Sequence, residues 1–523
     1  MTDDVLSGRA SGILLHPTSL PGPYGIGELG GAAYRFLDYL VSAGQSLWQV
    51  LPLGPTGYGD SPYACFSSFA GNPLLISLDT LVEWGALERR DLDGAPEFAR
   101  DRVDFGPLIE WKTPLLRKAA ARFLDSVGGE QRRSFESFIA KESWWLEDYV
   151  FFMAIKNGMP AGAWNDTWDR DIALRRPEAV THWKMKLAQQ AKEEQVIQFF
   201  FFSQWDALHE AASSKGIRII GDLPIFVAPD SVDVWANREL FLLNADGRPT
   251  AVSGVPPDYF AATGQLWGNP LYDWDAMARR GFRFWIQRIR SACRLFDLVR
   301  IDHFRGFEAC WSVPAGQRTA ERGEWVKVPG VRLFQEMEKE RGTLPIIAED
   351  LGVITPEVNA LREHFGFPGM RILQFAFDRG ESGRLGSDNR FLPHNHTADS
   401  VVYTGTHDND TTRGWWAART PEERDYLDAY SGASDPEIEW RLIRMAMASV
   451  CGAAIVPFQD MLGLGGEARM NTPGTSSGKN WTWRADDGCF LATAAERLRS
   501  LSKVYGRLPA SGGVVRPFRA CAR

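Results

Sequence analysis

The stretch LVRIDHF, residues 298–304, runs from an apolar half straight into arginine, aspartate and histidine. A short apolar run that ends abruptly in polar residues is the pattern of a buried parallel strand. It follows a helical pattern, RFWIQRIRSACRLF, and seven other runs share its form. They are GILLH at 12–16, LWQVLPL at 47–53, IRIIGDLPIFV at 217–227, LPIIAED at 344–350, MRILQFAF at 370–377, VVYTGTHD at 401–408 and AAIVPFQDM at 453–461. From the third run onward, helical patterns separate most of them. In PEVNALREHFG, Pro356 suits a first helical turn and Gly366 a stop. In TPEERDYLDAY, Thr420 is a good N-cap followed by acidic first-turn residues. Eight strands alternating with helices predict an α/β fold, a (β/α)8 TIM barrel. A doubly wound open sheet is the alternative, but no GxGxxG follows the first run to support it.

The spacing is uneven. Between Leu53 and Ile217 lie far more residues than a normal crossover needs. Residues 1–523 are therefore expected to form one catalytic barrel with two insertions. Residues 77–200, which read as mostly helical, form an inserted helical subdomain between strands two and three. Residues 228–280, rich in Gly, Pro, Trp and Tyr, form a second inserted subdomain or loop over the mouth. The final ASGGVVRPFRACAR reads as a loose tail, with no room for a separate C-terminal β-domain.

Composition narrows the function. The chain has 523 residues, 44% hydrophobic and 24% charged, which describes a globular protein with ample core. With 58 basic against 66 acidic residues the net charge is −8, so the broad positive surface that nucleic acid requires is missing. No apolar stretch is long enough to span a membrane, and the N-terminus carries no secretory pattern. Six scattered cysteines (Cys65, Cys293, Cys310, Cys451, Cys489, Cys521) without a CxxC fit a reduced, cytoplasmic protein. The 20 tryptophans suit either a large packed core, the favoured reading, or surfaces that stack sugar faces.

Reactive groups of a (β/α)8 barrel sit at the C-terminal ends of its strands. There the candidate strands end in Gly221-Asp222, Arg300-Ile301-Asp302-His303, Glu349-Asp350 and His407-Asp408-Asn409-Asp410. Carboxylates gathered at one mouth raise one another's pKa, a cost that makes sense where they are used or neutralised. Arg300 and Asp302 lie two apart on a strand and so share a face. The arginine favours an ionised Asp302, a candidate nucleophile. Glu349 follows the apolar run PIIA and can act as a proton donor. Two carboxylates with opposite demands, plus aromatics, describe glycoside chemistry through an oxocarbenium-like state, with Asp408 as a third carboxylate gripping ring hydroxyls.

Each feature also has a structural reading. Asp222 suits a helix cap or an ion pair, and Arg300–Asp302 a buried structural pair. Glu349-Asp350 suits a helix start, and HDND a polar loop. A metal-dependent TIM-barrel hydrolase is a sharper competitor, with His303, His407, Asp302, Glu349 and Asp408 as ligands. Against it, the first strand ends in a lone His16, and neither HExxH nor a cysteine cluster exists. A non-catalytic sugar-binding protein would need aromatics without strained acidic pairs.

Taken together, these motifs are similar to those of a known family. GILLHPTSLPGPYGIGELG from Gly12, SLWQVLPLGPTGYGDSPY from Ser46, FAGNPLLI from Phe69, GDLPIFVAPDSVDVWANRELF from Gly221 and GVPPDYFAATGQLWGNPLYDW from Gly254 come in order. VRIDHFRGF from Val299, IIAEDLG from Ile346, YTGTHDNDTTRGWW from Tyr403 and RMNTPGT from Arg469 complete the set. Over nearly its whole length the chain resembles the amylomaltases, the bacterial 4-α-glucanotransferases of glycoside hydrolase family 77. The resemblance implies a barrel with inserted subdomains and without the C-terminal β-domain of the related α-amylases. It implies that Asp302 is the catalytic nucleophile, Glu349 the general acid/base and Asp408 the transition-state stabiliser. Arg300 would orient the nucleophile, and Asp222, His303 and His407 would bind the glucose ring in the cleavage subsite. The Gly254–Trp267 segment would be a loop over the cleft, where Tyr259 and Trp267 stack or shield glucan. Ser61, Tyr63 and Asn471 fall in motifs lining donor or acceptor subsites. Cys65 and Phe66 depart from the residues expected after SPY.

The expected reaction is retaining transfer of a segment of an α-1,4-glucan to the 4-hydroxyl of an acceptor. Maltooligosaccharides and other α-1,4-glucans are the substrates and glucose is an acceptor; no metal or organic cofactor is implied. The two principal carboxyl groups should stand about 5–5.5 Å apart. An α-amylase-type retaining hydrolase of the same glucans is the alternative activity.

Overall fold

In the computed structural model, residues 6, 8–126, 128–257, 261–379, 384–432, 436–475 and 478–509 are described. The tail and Tyr259 lie outside them. Twelve strands are found among the described residues, in chain order β1 (Ala10–Leu14), β2 (Leu47–Gln49), β3 (Arg218–Pro224), β4 (Ala251–Val255), β5 (Gln265–Pro270) and β6 (Leu298–Asp302). These are followed by β7 (Ala309–Pro314), β8 (Glu324–Lys327), β9 (Ile346–Ala348), β10 (Gly369–Ile372), β11 (Ser400–Tyr403) and β12 (Ala453–Pro457). Eight of them form one parallel sheet in the order β10-β11-β12-β1-β2-β3-β6-β9. The two ends meet where Ala348 N–H donates to Pro368 O at 2.8 Å and Met370 N–H to Asp350 Oδ1 at 2.7 Å. The sheet thus curls into the (β/α)8 barrel, and the eight apolar runs are its eight strands.

The ladders are shorter than the apolar runs. After Gln49 the chain turns away at Pro52, and after Ile372 it winds into the 3-10 turn Leu373–Ala376. After Pro457 it enters the helical turn Phe458–Met461. Hydrophobicity marks what is buried, whereas pairing ends where the strand reaches the mouth. At that mouth Gly221 has no substitute: a Cβ there would sit 2.0 Å from the Phe296 ring, and this close approach seats the next residue, Asp222.

Between β2 and β3 three long helices, Phe105–Ser126, Gly129–Gly158 and Ala188–Ser214, pack on one another. Their interface is aromatic, with Phe123, Phe135, Phe138 and Phe199–Phe202 in ring contact. Eleven of the 20 tryptophans are buried, so most of that composition builds core.

Between β3 and β6 the chain contributes not only loop but the strands β4 and β5. They join β7 and β8, which follow β6, in an antiparallel sheet of order β5-β4-β7-β8. The sequence reading missed β7 and β8 because ACWSVP and EWVK are short and carry turn-like neighbours. Among the described residues no helix is long and apolar enough to cross a membrane.

Candidate active site

Strand pairing itself assembles the first part of the site. β3 and β6 run in a register that sets Asp222 opposite Arg300 and Pro224 opposite Asp302. Arg300, only 3% exposed, spreads its guanidinium fork between them. Nη1 donates to Asp222 Oδ2 at 2.6 Å and Nη2 lies 3.0 Å from Asp302 Oδ1. Tyr63, from the loop after β2, donates its hydroxyl to Asp222 Oδ2 at 2.8 Å. Asp222 caps no helix; it is held by an ion pair, with Oδ1 buried and unpartnered. Asp302 keeps 30% of its side chain open to the cleft.

Glu349 follows β9, the next strand round. Its backbone N–H bonds to Ile301 O, which ties it to β6. Its carboxylate accepts two backbone N–H groups, Leu351 on Oε1 and His303 on Oε2, each at 2.7 Å. The second bond depends on an unusual backbone. His303 has φ 53° and ψ 51°, a left-handed conformation that costs a residue with a Cβ about 1 kcal/mol or more. That turn points the His303 N–H at Glu349 while the imidazole goes to the other wall, edge-on to Trp267 with centroids 4.7 Å apart. Asp350, adjacent in sequence, points into the barrel wall instead.

The third carboxylate rides on the loop after β11. Asn409 and Asp410 of HDND make the loop: Asn409 Oδ1 accepts from Thr406 N–H and hydroxyl, and Asp410 Oδ1 from Thr411 N–H. His407 and Asp408 are left facing the site. Asn471 Nδ2 donates to Asp408 Oδ1 at 2.6 Å, and Arg469 fixes the Asp408 carbonyl at 2.7 Å. His407 lies flat against Tyr63, with ring centroids 5.2 Å apart and planes 13° from parallel. Trp481 leans on both rings.

The electrostatics follow from one cation among many carboxylates in a protein-walled cleft. Burial pushes Asp302 up to about 8; Arg300 pulls against it, and Asp222, Glu349 and Asp408 reinforce the rise. Burial raises Glu349 as well, opposed by Arg300 and by the two backbone bonds. Burial thus raises the proton affinity of both carboxyls of the pair, with Arg300 opposing the rise in each. Arg300 thus favours the ionised form of Asp302, as its place two residues away on the strand implies, while burial works against it. Burial lowers His303 to about 3 and also depresses His407, which disfavours the cationic form of both imidazoles.

Thus the fold brings together Asp222, Arg300, Asp302, His303, Glu349, His407, Asp408, Tyr63, Asn471 and Trp267. Ser61 bonds within its own loop, accepting from Tyr63 N–H at 3.2 Å, and makes no hydrogen bond to these carboxylates. Sequence reasoning placed His16 at the end of the first strand but gave it no part in the site, and it passed over Trp481. His16 ends β1 at the same mouth; burial, with His407 nearby, depresses it to about 3, and its Nδ1 accepts Leu51 N–H. Its place at the end of a strand was the available signal. Trp481 carried none, since nothing before it reads as a strand. Among the described residues no group of three or more His, Cys, Asp or Glu side chains is arranged to hold a metal ion.

A parallel barrel with carboxylates converging on its mouth, one arginine between them and aromatic rings around them, is the layout of a carbohydrate-active enzyme. The family model described as 4-alpha-glucanotransferase, of glycoside hydrolase family 77, matches residues 15–489. A 4-alpha-glucanotransferase of Thermus thermophilus is 52% identical over 508 residues, 96% of this chain and 99% of its own length. One from Synechocystis is 49% identical over 507 residues, with 96% and 99% covered. The solved amylomaltase of Streptococcus agalactiae in complex with acarbose superposes with a TM-score of 0.91 at 40% identity, over 96% of this chain and 100% of that one. The chain belongs to this family, and its activity is 4-α-glucanotransferase activity.

Proposed function

We propose that Asp302 is the nucleophile, Glu349 the general acid/base and Asp408 the group that stabilises the transition state. Asp302 attacks the anomeric carbon of an α-1,4-glucan while Glu349 gives its proton to the departing oxygen. A covalent glucosyl-enzyme forms. Glu349 then takes the proton of an incoming 4-hydroxyl, which displaces Asp302, and two inversions leave the configuration retained. The observation that carries this reading is the Arg300 fork, one arm on Asp222 and the other on Asp302, beside a Glu349 whose proton affinity is raised by burial.

Bound sugar sharpens the division of labour. The oxocarbenium-like centre is cationic, so it favours an ionised Asp302, while burial favours a protonated Glu349. Asp222, His407 and His303 would grip the ring, a reading supported by the buried His303 Nε2, which lacks a protein partner. Tyr63 and Trp267 offer apolar faces, and the Gly254–Trp267 segment, with Tyr259 in it, is the proposed cover that keeps water from the intermediate. Ser61 and Asn471 would line flanking subsites. The substrates proposed are maltooligosaccharides and other α-1,4-glucans, with glucose as an acceptor. The five described cysteines are free, which supports a reducing, cytoplasmic setting.

The test is purified protein with maltotriose. Glucose plus a ladder of longer maltooligosaccharides, at nearly constant reducing ends, is expected. Steadily rising reducing ends would replace transfer with α-amylase-type hydrolysis. An activated fluorosugar should label the peptide holding Asp302; labelling elsewhere would overturn the nucleophile.

A further inference from the structure

One exposed feature is tied to both strands that carry the reacting carboxylates. β8 is the outer edge of the antiparallel sheet and is exposed throughout. Edge strands are usually protected by charge, and a large apolar ring there is a liability without a use. Yet Trp325 sits on it, 38% exposed. Beneath its ring lies the Arg305 guanidinium, 3.7 Å from the ring centre. Arg305 is itself buried and donates to the carbonyl of Val353. Arg305 stands two residues beyond His303, and Val353 four residues beyond Glu349. Four residues of chain reach at most about 14 Å, so the platform adjoins the mouth on its Glu349 side. Trp311 is the cross-strand partner of Trp325, and the two rings pack 5.1 Å apart. Through Gly254, the partner of Trp311 on β4, this row leads on to the segment that ends at Trp267.

We infer that Trp325, supported by Arg305, is a distal subsite for the glucan strand on the acceptor side of the cleft. This rests on the proposed role of Glu349: the group that protonates the departing oxygen also receives the incoming sugar, so both the leaving and the acceptor chains run past it. A pyranose offers an apolar C–H face and a rim of hydroxyls. The indole takes the face, and the charged groups beside it, Arg305 and the Lys327–Glu308 ion pair, can meet the rim. A protein partner would need a larger apolar area than this one ring framed by charges.

The experiment compares acceptors. In Trp325→Ala the ratio of kcat/KM for maltohexaose over glucose as acceptors should fall about tenfold, through KM of the long acceptor. Trp325→Phe, which keeps a flat ring, should restore most of it. An unchanged ratio, or an equal loss with both acceptors, would overturn the inference, the latter marking a purely structural residue. Calorimetric binding of maltoheptaose to Asp302→Asn and to Asp302→Asn/Trp325→Ala provides a readout that needs no transfer. Weaker binding by the double variant supports the subsite and equal binding rejects it, whatever the maltotriose ladder says about the reaction.

Discussion

Glu349 and Asp350 are neighbours in the chain, and the fold treats them in opposite ways. Asp350 is sealed in the barrel wall at 1% exposure. It accepts Met370 N–H at 2.7 Å, lies within reach of the Arg371 and Arg362 guanidinium groups, and is so close to Gly369 that a Cβ there would fall 2.5 Å from its carboxylate. It staples β10 against β9 where the barrel closes. The mouth, by contrast, sets Asp222, Asp302, Glu349 and Asp408 around a single Arg300, with Asp222 Oδ1 left unpartnered. A carboxylate held between guanidinium groups stabilises the fold, whereas several carboxylates crowded around one cation store a cost that substrate can relieve.

That contrast can be broken from either end. Asp302→Ala should lower transfer by about 10⁴-fold or more while leaving the circular dichroism spectrum and cooperative melting intact. Wild-type rates in a clean preparation would defeat it. Asp350→Ala should do the reverse: stability in urea falls by about 3 kcal/mol as two guanidinium groups lose their partner, while kcat of the folded fraction changes little. A collapse of kcat at full stability would merge the two regions into one.

Asn471→Ala removes a charge-assisted bond of about 2 kcal/mol from Asp408 and should cut kcat about tenfold, more than it raises KM. The smallest effect is on stability at the mouth. Because burial raises Asp302 to about 8 from its ordinary 3.8, its own contribution to stability is fully present below about 4 and is lost as pH climbs towards 8. Asp302→Asn escapes that loss. Its Tm should exceed wild type by on the order of 2 °C at pH 8 and converge with it near pH 4. A constant difference across that range would show that the carboxylate crowding is relieved in some other way.

The barrel was legible because its eight strands are buried on both faces and therefore read as unbroken apolar runs. The strand-end carboxylates were legible for the same reason, since polar residues stand out where such runs stop. The fork of Arg300 was only half visible: spacing put Asp302 on its face, but Asp222 joins through the β3–β6 register, which no local pattern states. The left-handed turn at His303 was invisible, because histidine gives no hint that its backbone will take a conformation usually left to glycine. The antiparallel sheet was lost because β8 is an exposed edge whose EWVK has no apolar face to announce it.

That sheet has one more implication. Its two hairpins enter the chain on either side of β6, one before Asp302 and one after, and they pair with each other across β4 and β7. Neither can be trimmed alone. Removing the first would strip β7 of its neighbour, and removing the second would bare β4. Lengthening or shortening this part of the molecule must therefore happen on both flanks at once, so that the strand bearing Asp302 is clasped from its two ends or from neither.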